Sequence, residues 1–208
     1  MFLTSDRIRD IQFLARTMTT EWPQQSDELD KKTNFIYNVN SLTDLESLLS
    51  NSNLSAAERD YAKHRWFNFS VSKIYEELFQ KYSAIPEENE KSKEKDFWIQ
   101  GIPYDLKVTQ ISPKFMSFNT KGSDAWKRDY ILWLYHNQSI EQRFHLKNRL
   151  FFVVDGGTPR ECLLTKTDIT KSDGLISKFC ENFIPKEFKI STDQSVFADL
   201  ILSTDSDR

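Results

Sequence analysis

Residues 96–109 of this chain read DFWIQGIPYDLKVT, two short runs of aromatic and branched residues on either side of Gly101. Such runs around a glycine indicate a β-hairpin. A two-residue turn at Gln100-Gly101 places Asp96 opposite Asp105, whereas a turn at Gly101-Ile102 places it opposite Lys107. Because side chains alternate along a strand, either register predicts these three side chains on one face.

The two aspartates of the hairpin would repel each other across the strand pair, which destabilises it. A divalent cation would relieve the repulsion, and carboxylate oxygens suit Mg²⁺, which keeps several waters and a substrate phosphate in its shell. The alternative is that Asp96 caps the strand and that Asp105 and Lys107 form an ordinary exposed pair on an edge strand. An apolar opposite face favours a place within a sheet, and it consists of Phe97, Ile99, Tyr104, Leu106 and Val108.

A long helix precedes the hairpin. Ser55 and Glu58 have the spacing of a capping box, which predicts a helix running to about Tyr82. At 100° per residue, a polar stripe lies beside the core-facing side of this helix. The stripe contains Arg65, Asn68, Ser72 and Glu76. Glu76 is therefore the candidate acid of this helix, and the alternative is that the stripe is only a surface edge.

The neighbouring Glu77 falls on a different side of the helix, four residues from both Lys73 and Lys81. This spacing is typical of ion pairs on an exposed helix face. We therefore expect Glu77 to be a surface residue with no part in a site.

Helices and strands follow one another along the rest of the chain. Helices are predicted at residues 5–22, 42–49, 123–136, 139–148 and 172–183, with a polar linker at 23–34. Strands are predicted at residues 150–154, 161–165, 187–190 and 197–203. Helix, hairpin, helix and strand in this order predict an α/β sandwich with a mixed sheet.

Composition narrows the classes of function. The chain has 28 basic and 31 acidic residues, and this net charge of −3 argues against a polybasic nucleic-acid coat. None of the five glycines belongs to a glycine-rich nucleotide-binding loop, and two cysteines are too few for a thiolate zinc site. We expect a cytoplasmic protein without a membrane span, because the longest apolar run is far shorter than ~20 residues.

Together, these features resemble the PD-(D/E)XK nuclease superfamily, which includes restriction endonucleases, junction resolvases and DNA-repair nucleases. The similar pattern is Asp96, eight intervening residues and the triplet Asp105-Leu-Lys107, preceded by the helix that bears Glu76. The resemblance covers approximately residues 60–155.

The chain departs from the family pattern in two places. Lys95 precedes Asp96 where the family motif has proline, and the triplet is D-x-K where many members have E-x-K. The strand that the family usually has between the first helix and the aspartate-bearing strand would fall within residues 83–86.

The resemblance implies a restriction-endonuclease-like three-layer sandwich, with a central mixed β-sheet flanked by helices and an N-terminal helical arm. It divides the chain into an N-terminal helical region at residues 1–55 and a nuclease-like domain at residues 56–208. The implied activity is Mg²⁺-dependent endonucleolytic cleavage of DNA, of the restriction or repair type, with Mn²⁺ as a substitute metal and RNA as an alternative substrate. A homodimer is expected if both strands are cut, since one site per chain then requires two copies.

The resemblance also implies a role for each residue of the motif. Asp96, Asp105 and the backbone carbonyl of Leu106 would bind the metal ion, and Glu76 would complete or support that site. Lys107 would orient or deprotonate the attacking water and offset charge on the scissile phosphate. Glu76, Asp96, Asp105 and Lys107 are thus the predicted catalytic residues.

Nucleases of this family often have a Gln, Arg or Tyr on the helix that follows the triplet strand. Gln138 and Arg143 are the predicted nucleic-acid contacts in this chain. The alternative is an exposed helix face whose cations lie near the helix C-terminus. For the whole protein, the alternative function is a catalytically silent nuclease-like module for nucleic-acid binding or assembly.

Overall fold

The structure, a computed structural model, describes residues 1–21, 25–88, 95–137 and 147–204. Over these residues the chain forms seven α-helices, one 3₁₀ helix and a six-stranded mixed sheet. The helices are α1 (Ser5–Thr17), α2 (Asp27–Lys32), the 3₁₀ helix (Asn34–Asn38), α3 (Leu42–Ser50), α4 (Ala56–Lys81), α5 (Asp124–Asn137), α6 (Pro159–Lys166) and α7 (Ile169–Glu181). The strands are β1 (Ile85–Pro86), β2 (Phe97–Ile99), β3 (Ile102–Gln110), β4 (Arg149–Asp155), β5 (Glu187–Ser191) and β6 (Gln194–Thr204).

The sheet has the strand order β1-β2-β3-β4-β6-β5. Its centre is parallel, because β4 pairs in parallel with both β3 and β6, and the outer strands pair antiparallel. Parallel neighbours need crossover connections. Here α5 connects β3 to β4, whereas α6 and α7 follow β4 on the way to β5 and β6. The predicted α/β class with a mixed sheet is confirmed.

Side chains of β4 separate two hydrophobic clusters. Leu150, Phe152 and Val154 belong to the larger cluster, together with residues of α1, α3, α4, α6 and α7. Phe151 and Val153 belong to the smaller cluster, together with residues of α5. Because alternate residues of a strand point to opposite faces, helices cover both faces of the sheet. This arrangement is compatible with a three-layer sandwich.

The first helices pack into the main body. Ile11 and Leu14 of α1 are buried in the larger cluster, which therefore runs across the predicted domain boundary at residue 55. Arg7 is only 6% exposed and lies with its guanidinium 4.7 Å from the ring centroid of Trp66. It also donates a hydrogen bond of 3.0 Å to Ser70 Oγ, so α1 is held against α4 by polar as well as apolar contacts.

The long helix α4 has the predicted start and the predicted core face. Ser55 Oγ accepts from the backbone N–H of Glu58, and the Glu58 carboxylate accepts from the N–H of Ser55, which completes the capping box. Phe67, Val71 and Ile74 are buried. α4 has 26 residues but carries charges along its length, and no helix among the described residues is both long and apolar enough to cross a membrane.

The strand predicted at residues 161–165 is wrong, because this segment belongs to α6. Thr158 is the N-cap of that helix and accepts a hydrogen bond of 3.2 Å from the backbone N–H of Glu161. Pro159 occupies the first turn, where its missing N–H costs nothing. Capping and proline placement therefore favour a helix where a strand was predicted.

The linker predicted at residues 23–34 is also wrong in part, because it contains α2. Ser26 starts this short helix by accepting a hydrogen bond of 3.2 Å from the N–H of Leu29. The helix predicted at residues 5–22 is confirmed, but it ends at Thr17. The helices predicted at 42–49, 123–136 and 172–183 and the strands predicted at 150–154, 187–190 and 197–203 are confirmed with shifted ends.

Candidate functional site

The β2–β3 hairpin carries the residues that the sequence singles out. Ile99 pairs with Ile102, so the turn consists of Gln100 and Gly101. Both turn residues have positive φ, 48° at Gln100 and 78° at Gly101. Positive φ at both positions is what a type I′ turn requires, and its twist matches that of the two strands. The turn therefore ends at Gly101, which is one of the two predicted registers.

Asp96 lies just before β2, beyond the last pair of the hairpin ladder. Its Oδ2 accepts a hydrogen bond of 2.7 Å from the backbone N–H of Leu106. Backbone N–H groups of a strand point along the sheet towards the next strand. The Asp96 carboxylate therefore occupies the open edge of β3, where β2 has ended, rather than standing directly on the face of Asp105 and Lys107.

Asp105 and Lys107 point to the α5 side of β3. Their parallel neighbours on β4 are Arg149 and Phe151, and Phe151 packs in the α5 cluster. The Lys107 ammonium lies 2.9 Å from Asp105 Oδ1, and Arg149 Nε lies 3.3 Å from Asp105 Oδ2. Asp105 is only 7% exposed, so its carboxylate is held between two cations with little access to water.

Glu76 projects from α4 and is also 7% exposed. Its Oε2 accepts a hydrogen bond of 2.6 Å from Lys73 Nζ. Burial raises the pKa of Glu76 to about 7, against the opposing effect of Lys73, and the Asp96 carboxylate raises the pKa further. Lys107 acts to lower it. Glu76 therefore interacts electrostatically with both Asp96 and Lys107.

The pKa of Asp96 is raised for related reasons. Burial has the largest effect, the hydrogen bond from Leu106 opposes it, and the Asp105 carboxylate raises the pKa again. Lys107 and Lys73 lower it. The four predicted catalytic residues are thus linked by electrostatic interactions, with Asp96 at the open edge of β3, Asp105 and Lys107 on its α5 face, and Glu76 on α4.

Two cations of this site, Lys73 and Arg149, were not predicted from the sequence. Lys73 precedes Glu76 by three residues, a spacing that also brings helix side chains together, but the four-residue spacing to Glu77 suggested an exposed pair instead. Arg149 begins β4, and only the parallel register of β3 and β4 brings it beside Asp105. That register is a long-range property, which no local pattern reveals.

The prediction for Glu77 is wrong. Its carboxylate accepts hydrogen bonds of 2.6 and 2.7 Å from the backbone N–H groups of Phe2 and Leu3. Lys81 pairs with Asp173 of α7 instead, at 2.6 Å. Segments distant in sequence pack on this side of α4, so the face that was expected to be solvated is a tertiary contact.

Gln138 and Arg143 lie outside the described residues, as does most of the helix predicted at 139–148. The described end of α5 does contact the site. The Tyr135 hydroxyl donates a hydrogen bond of 2.7 Å to the carbonyl of Lys147, and its ring centroid lies 5.7 Å from the Arg149 guanidinium. α5 therefore helps to position the start of β4.

The donor set suits a hard divalent cation, because it combines carboxylates with the backbone carbonyl of Leu106. Asp105 Oδ2 has no hydrogen bond within the described residues. The ligand set is nevertheless incomplete. In the described part of the chain, no group of three or more His, Cys, Asp and Glu side chains is arranged to hold a metal ion. Lys73 also binds Glu76 directly. Asp96, Asp105 and the Leu106 carbonyl thus supply oxygen atoms of the kind that a divalent cation binds, but Asp105 Oδ2 already lies 3.3 Å from Arg149 Nε.

Comparison with known proteins gives no relative for this chain. No family model matches it, and neither a curated protein nor a solved structure matches it. The function therefore has to be argued from the geometry of the site.

Proposed function

We propose that the protein is a metal-dependent nuclease of the PD-(D/E)XK type that hydrolyses DNA phosphodiester bonds. The observation that carries the proposal is the grouping of Asp96, at the open edge of β3, with Asp105 and Lys107 on the α5 face of that strand. Glu76 of α4 joins this group through its electrostatic interactions with Asp96 and Lys107. Burial and mutual repulsion raise the pKa values of Glu76 and Asp96. Buried like charges cost stability, and clusters of perturbed acids are typical of functional sites rather than of ordinary packing.

The order of the elements supports the same proposal. α4, β1, β2, β3, α5 and β4 follow one another, with antiparallel pairing from β1 to β3 and parallel pairing of β3 with β4. β1, at Ile85–Pro86, lies within the stretch where the resemblance implies an additional strand. This order is similar to the core of the nuclease superfamily and favours a restriction-endonuclease-like three-layer sandwich.

The residues of the site have distinct tasks in this proposal. Asp96, Asp105 and the Leu106 carbonyl would hold Mg²⁺ or Mn²⁺, and Glu76 would support them. When bound, the metal ion lowers the pKa of a coordinated water and stabilises charge on the phosphate. Lys107, paired with Asp105 and half-buried, would turn its ammonium to the scissile phosphate or to the attacking water.

DNA is the proposed substrate and the cytoplasm the proposed compartment, with RNA as the second substrate to test. Cleavage of both DNA strands would require a homodimer, since each chain supplies one site.

A catalytically silent nucleic-acid-binding or assembly module is the second candidate. Two observations favour it: Lys73 and Lys107 already neutralise Glu76 and Asp105 through direct ion pairs, and the described residues contain no ready-made group of three metal ligands. In such a module the two lysines would permanently occupy the place of the divalent metal ion.

The deciding experiment is cleavage of supercoiled plasmid with Mg²⁺, with Mn²⁺ or with EDTA. Wild-type protein and Asp105→Asn are compared with Asp173→Asn, which removes a carboxylate that is also lysine-paired but lies on α7. We expect metal-dependent nicking or linearisation that Asp105→Asn abolishes and Asp173→Asn retains, with melting curves showing that both variants fold.

Undiminished cutting by Asp105→Asn would remove the proposed site. Absence of cutting on DNA and RNA, together with absence of a metal-induced change in melting temperature, would favour the silent module.

A further inference from the structure

A second feature lies next to the candidate site. A cavity of about 260 Å³ opens between α4, the end of β3 and α6. Polar side chains from all three elements line it: His64 and Asn68 from α4, Thr109 and Gln110 from β3, and Lys166 from α6. None of these residues takes part in the site described above.

Lys166 is the unusual member of this lining. It is only 8% exposed, and its ammonium has no hydrogen bond or ion pair with any of the residues that the structure describes. Its backbone is fixed, because its carbonyl accepts a hydrogen bond of 3.2 Å from the hydroxyl of Tyr75, itself fully buried in α4. A buried cation without a counter-ion is costly, and proteins rarely keep one unless something pairs with it.

The ammonium is still largely charged at neutral pH. Burial lowers the pKa of Lys166 to about 8, and only the Cys162 thiol acts in the opposite direction. The described lining contains no carboxylate that would serve as a counter-ion. The cavity therefore offers positive charge to whatever enters it.

The other lining groups suit an anion with several oxygens. His64 is 2% exposed, and its Nε2 lies 3.0 Å from the hydroxyl of Thr19. The Asn68 amide donates a hydrogen bond of 3.1 Å to the carbonyl of His64 and contributes a polar wall beside Lys166. A single cation surrounded by neutral polar groups is the kind of environment that accepts a phosphate through charge-assisted hydrogen bonds.

The distance from the candidate site to the cavity follows from the positions of their residues along α4 and β3. Asn68 precedes Glu76 by two turns on the same stripe of α4, which is about 12 Å along the helix. Gln110 follows Leu106, whose side chain packs on the same α4 side of the sheet, by four residues on β3, which is about 13 Å along the strand. Duplex DNA advances about 3.4 Å per nucleotide of one strand, so this separation corresponds to roughly three to four nucleotides.

We propose that this cavity binds a phosphate group of the nucleic-acid substrate, roughly three to four nucleotides from the cleaved bond, with Lys166 as its cation. The source of the phosphate rests on the nuclease function proposed above. The anion site itself rests on the cavity and on the solitary buried ammonium.

Inorganic phosphate is the direct probe of the anion site. Melting temperatures are measured with and without phosphate, at ionic strength matched with chloride, for wild type, Lys166→Met and Lys178→Met. Lys178 is an exposed lysine of α7 and serves as the matched control. Phosphate at about four times its dissociation constant should raise the melting temperature of wild type and Lys178→Met by about 2–4 °C.

Lys166→Met should show no phosphate effect, and without phosphate it should melt above wild type because a buried charge has been replaced by an apolar chain of similar length. Absence of the phosphate effect in wild type, or its persistence in Lys166→Met, would overturn the anion site.

Oligonucleotide binding in EDTA separates the two sources of phosphate. Loss of one phosphate contact should reduce the slope of log affinity against log salt by about one in Lys166→Met, with Lys178→Met unchanged. A lost phosphate effect with an unchanged slope would overturn the nucleic-acid source and leave a site for a free anion. A reduced slope in a protein that does not cut DNA would support the subsite and contradict only the nuclease function.

Discussion

The edge of β3 and the cavity around Lys166 bury charge in opposite ways. At the edge of β3, three acids lie among three cations. Two of the acids, Glu76 and Asp96, nevertheless have raised pKa values, because burial and neighbouring carboxylates disfavour their charged forms. In the cavity, one lysine has a lowered pKa because burial disfavours its ammonium. Each region would therefore be stabilised by a ligand of opposite charge, a cation in the first and a phosphate in the second.

The largest expected effect concerns Lys107, one of the three cations at the edge of β3, a region called the acidic region below. Lys107→Met should slow plasmid cleavage about 100-fold or more, the usual cost of losing a group that positions or transfers a proton. The rate of loss of supercoiled plasmid measures this effect, with Lys178→Met as the control. An unchanged rate would contradict the catalytic role of Lys107, because the acidic region would then act without its lysine.

The acidic region also predicts a pH dependence of stability. The pKa of Glu76 rises from 4.5 to about 7 on folding, so wild type loses stability as pH increases between these values. Glu76→Gln should remove that loss and gain up to about 3 kcal/mol in the free energy of unfolding above pH 7 relative to pH 4. Urea unfolding at a series of pH values, without divalent metal, measures the gain. A gain that is independent of pH would contradict the raised pKa.

The cavity predicts the opposite trend with pH. The pKa of Lys166 falls from 10.5 to about 8 on folding, so the cost of its charge is fully present below pH 8 and disappears as pH rises towards 10.5. Lys166→Met should therefore be more stable than wild type by about 3 kcal/mol at pH 7, and the difference should shrink between pH 8 and 10. Equal stabilities at pH 7 would mean that the ammonium is paired in solution.

The smallest expected effect comes from the hairpin turn. A substitution there changes neither charged region and therefore serves as a reference for the pH dependence of both. Gln100 has φ of 48°, a conformation that asparagine adopts more readily than glutamine. Gln100→Asn should raise the free energy of unfolding by about 0.5 kcal/mol at every pH, because the turn is less strained. Thermal unfolding at pH 5 and pH 9 checks this, and a gain that varies with pH would show that the turn is coupled to one of the charged regions.

Local signals in the sequence predict the parts of the fold that depend on neighbours along the chain. The capping box at Ser55 and Glu58 located the start of α4, and the glycine of the hairpin located its turn. The pattern at Thr158 and Glu161 is the same type of signal, yet the apolar run after it suggested a strand and α6 was missed. A capping pattern with proline at the first turn therefore deserves more weight than the three apolar residues Cys162, Leu163 and Leu164.

The candidate site also contains residues that local sequence patterns predict and residues that they do not. Glu76, Asp96, Asp105 and Lys107 were predicted because they lie on a helix stripe and a hairpin, both regular in sequence. Arg149 reaches Asp105 only through the pairing of β3 with β4, which no local pattern reveals. Lys166 was not singled out from the sequence, because no local pattern indicates that Tyr75 of α4 donates a hydrogen bond to its carbonyl or that its side chain lines a cavity.

The two-residue turn at the end of the hairpin restricts how this protein can change in length. It sets the number of residues between Asp96 and Leu106, the two groups joined by a hydrogen bond at the open edge of β3. One inserted residue would shift β2 by a single position and turn its buried side chains to the other face, whereas two inserted residues would restore the alternation. Insertions and deletions in this hairpin should therefore be tolerated when they add or remove two residues rather than one.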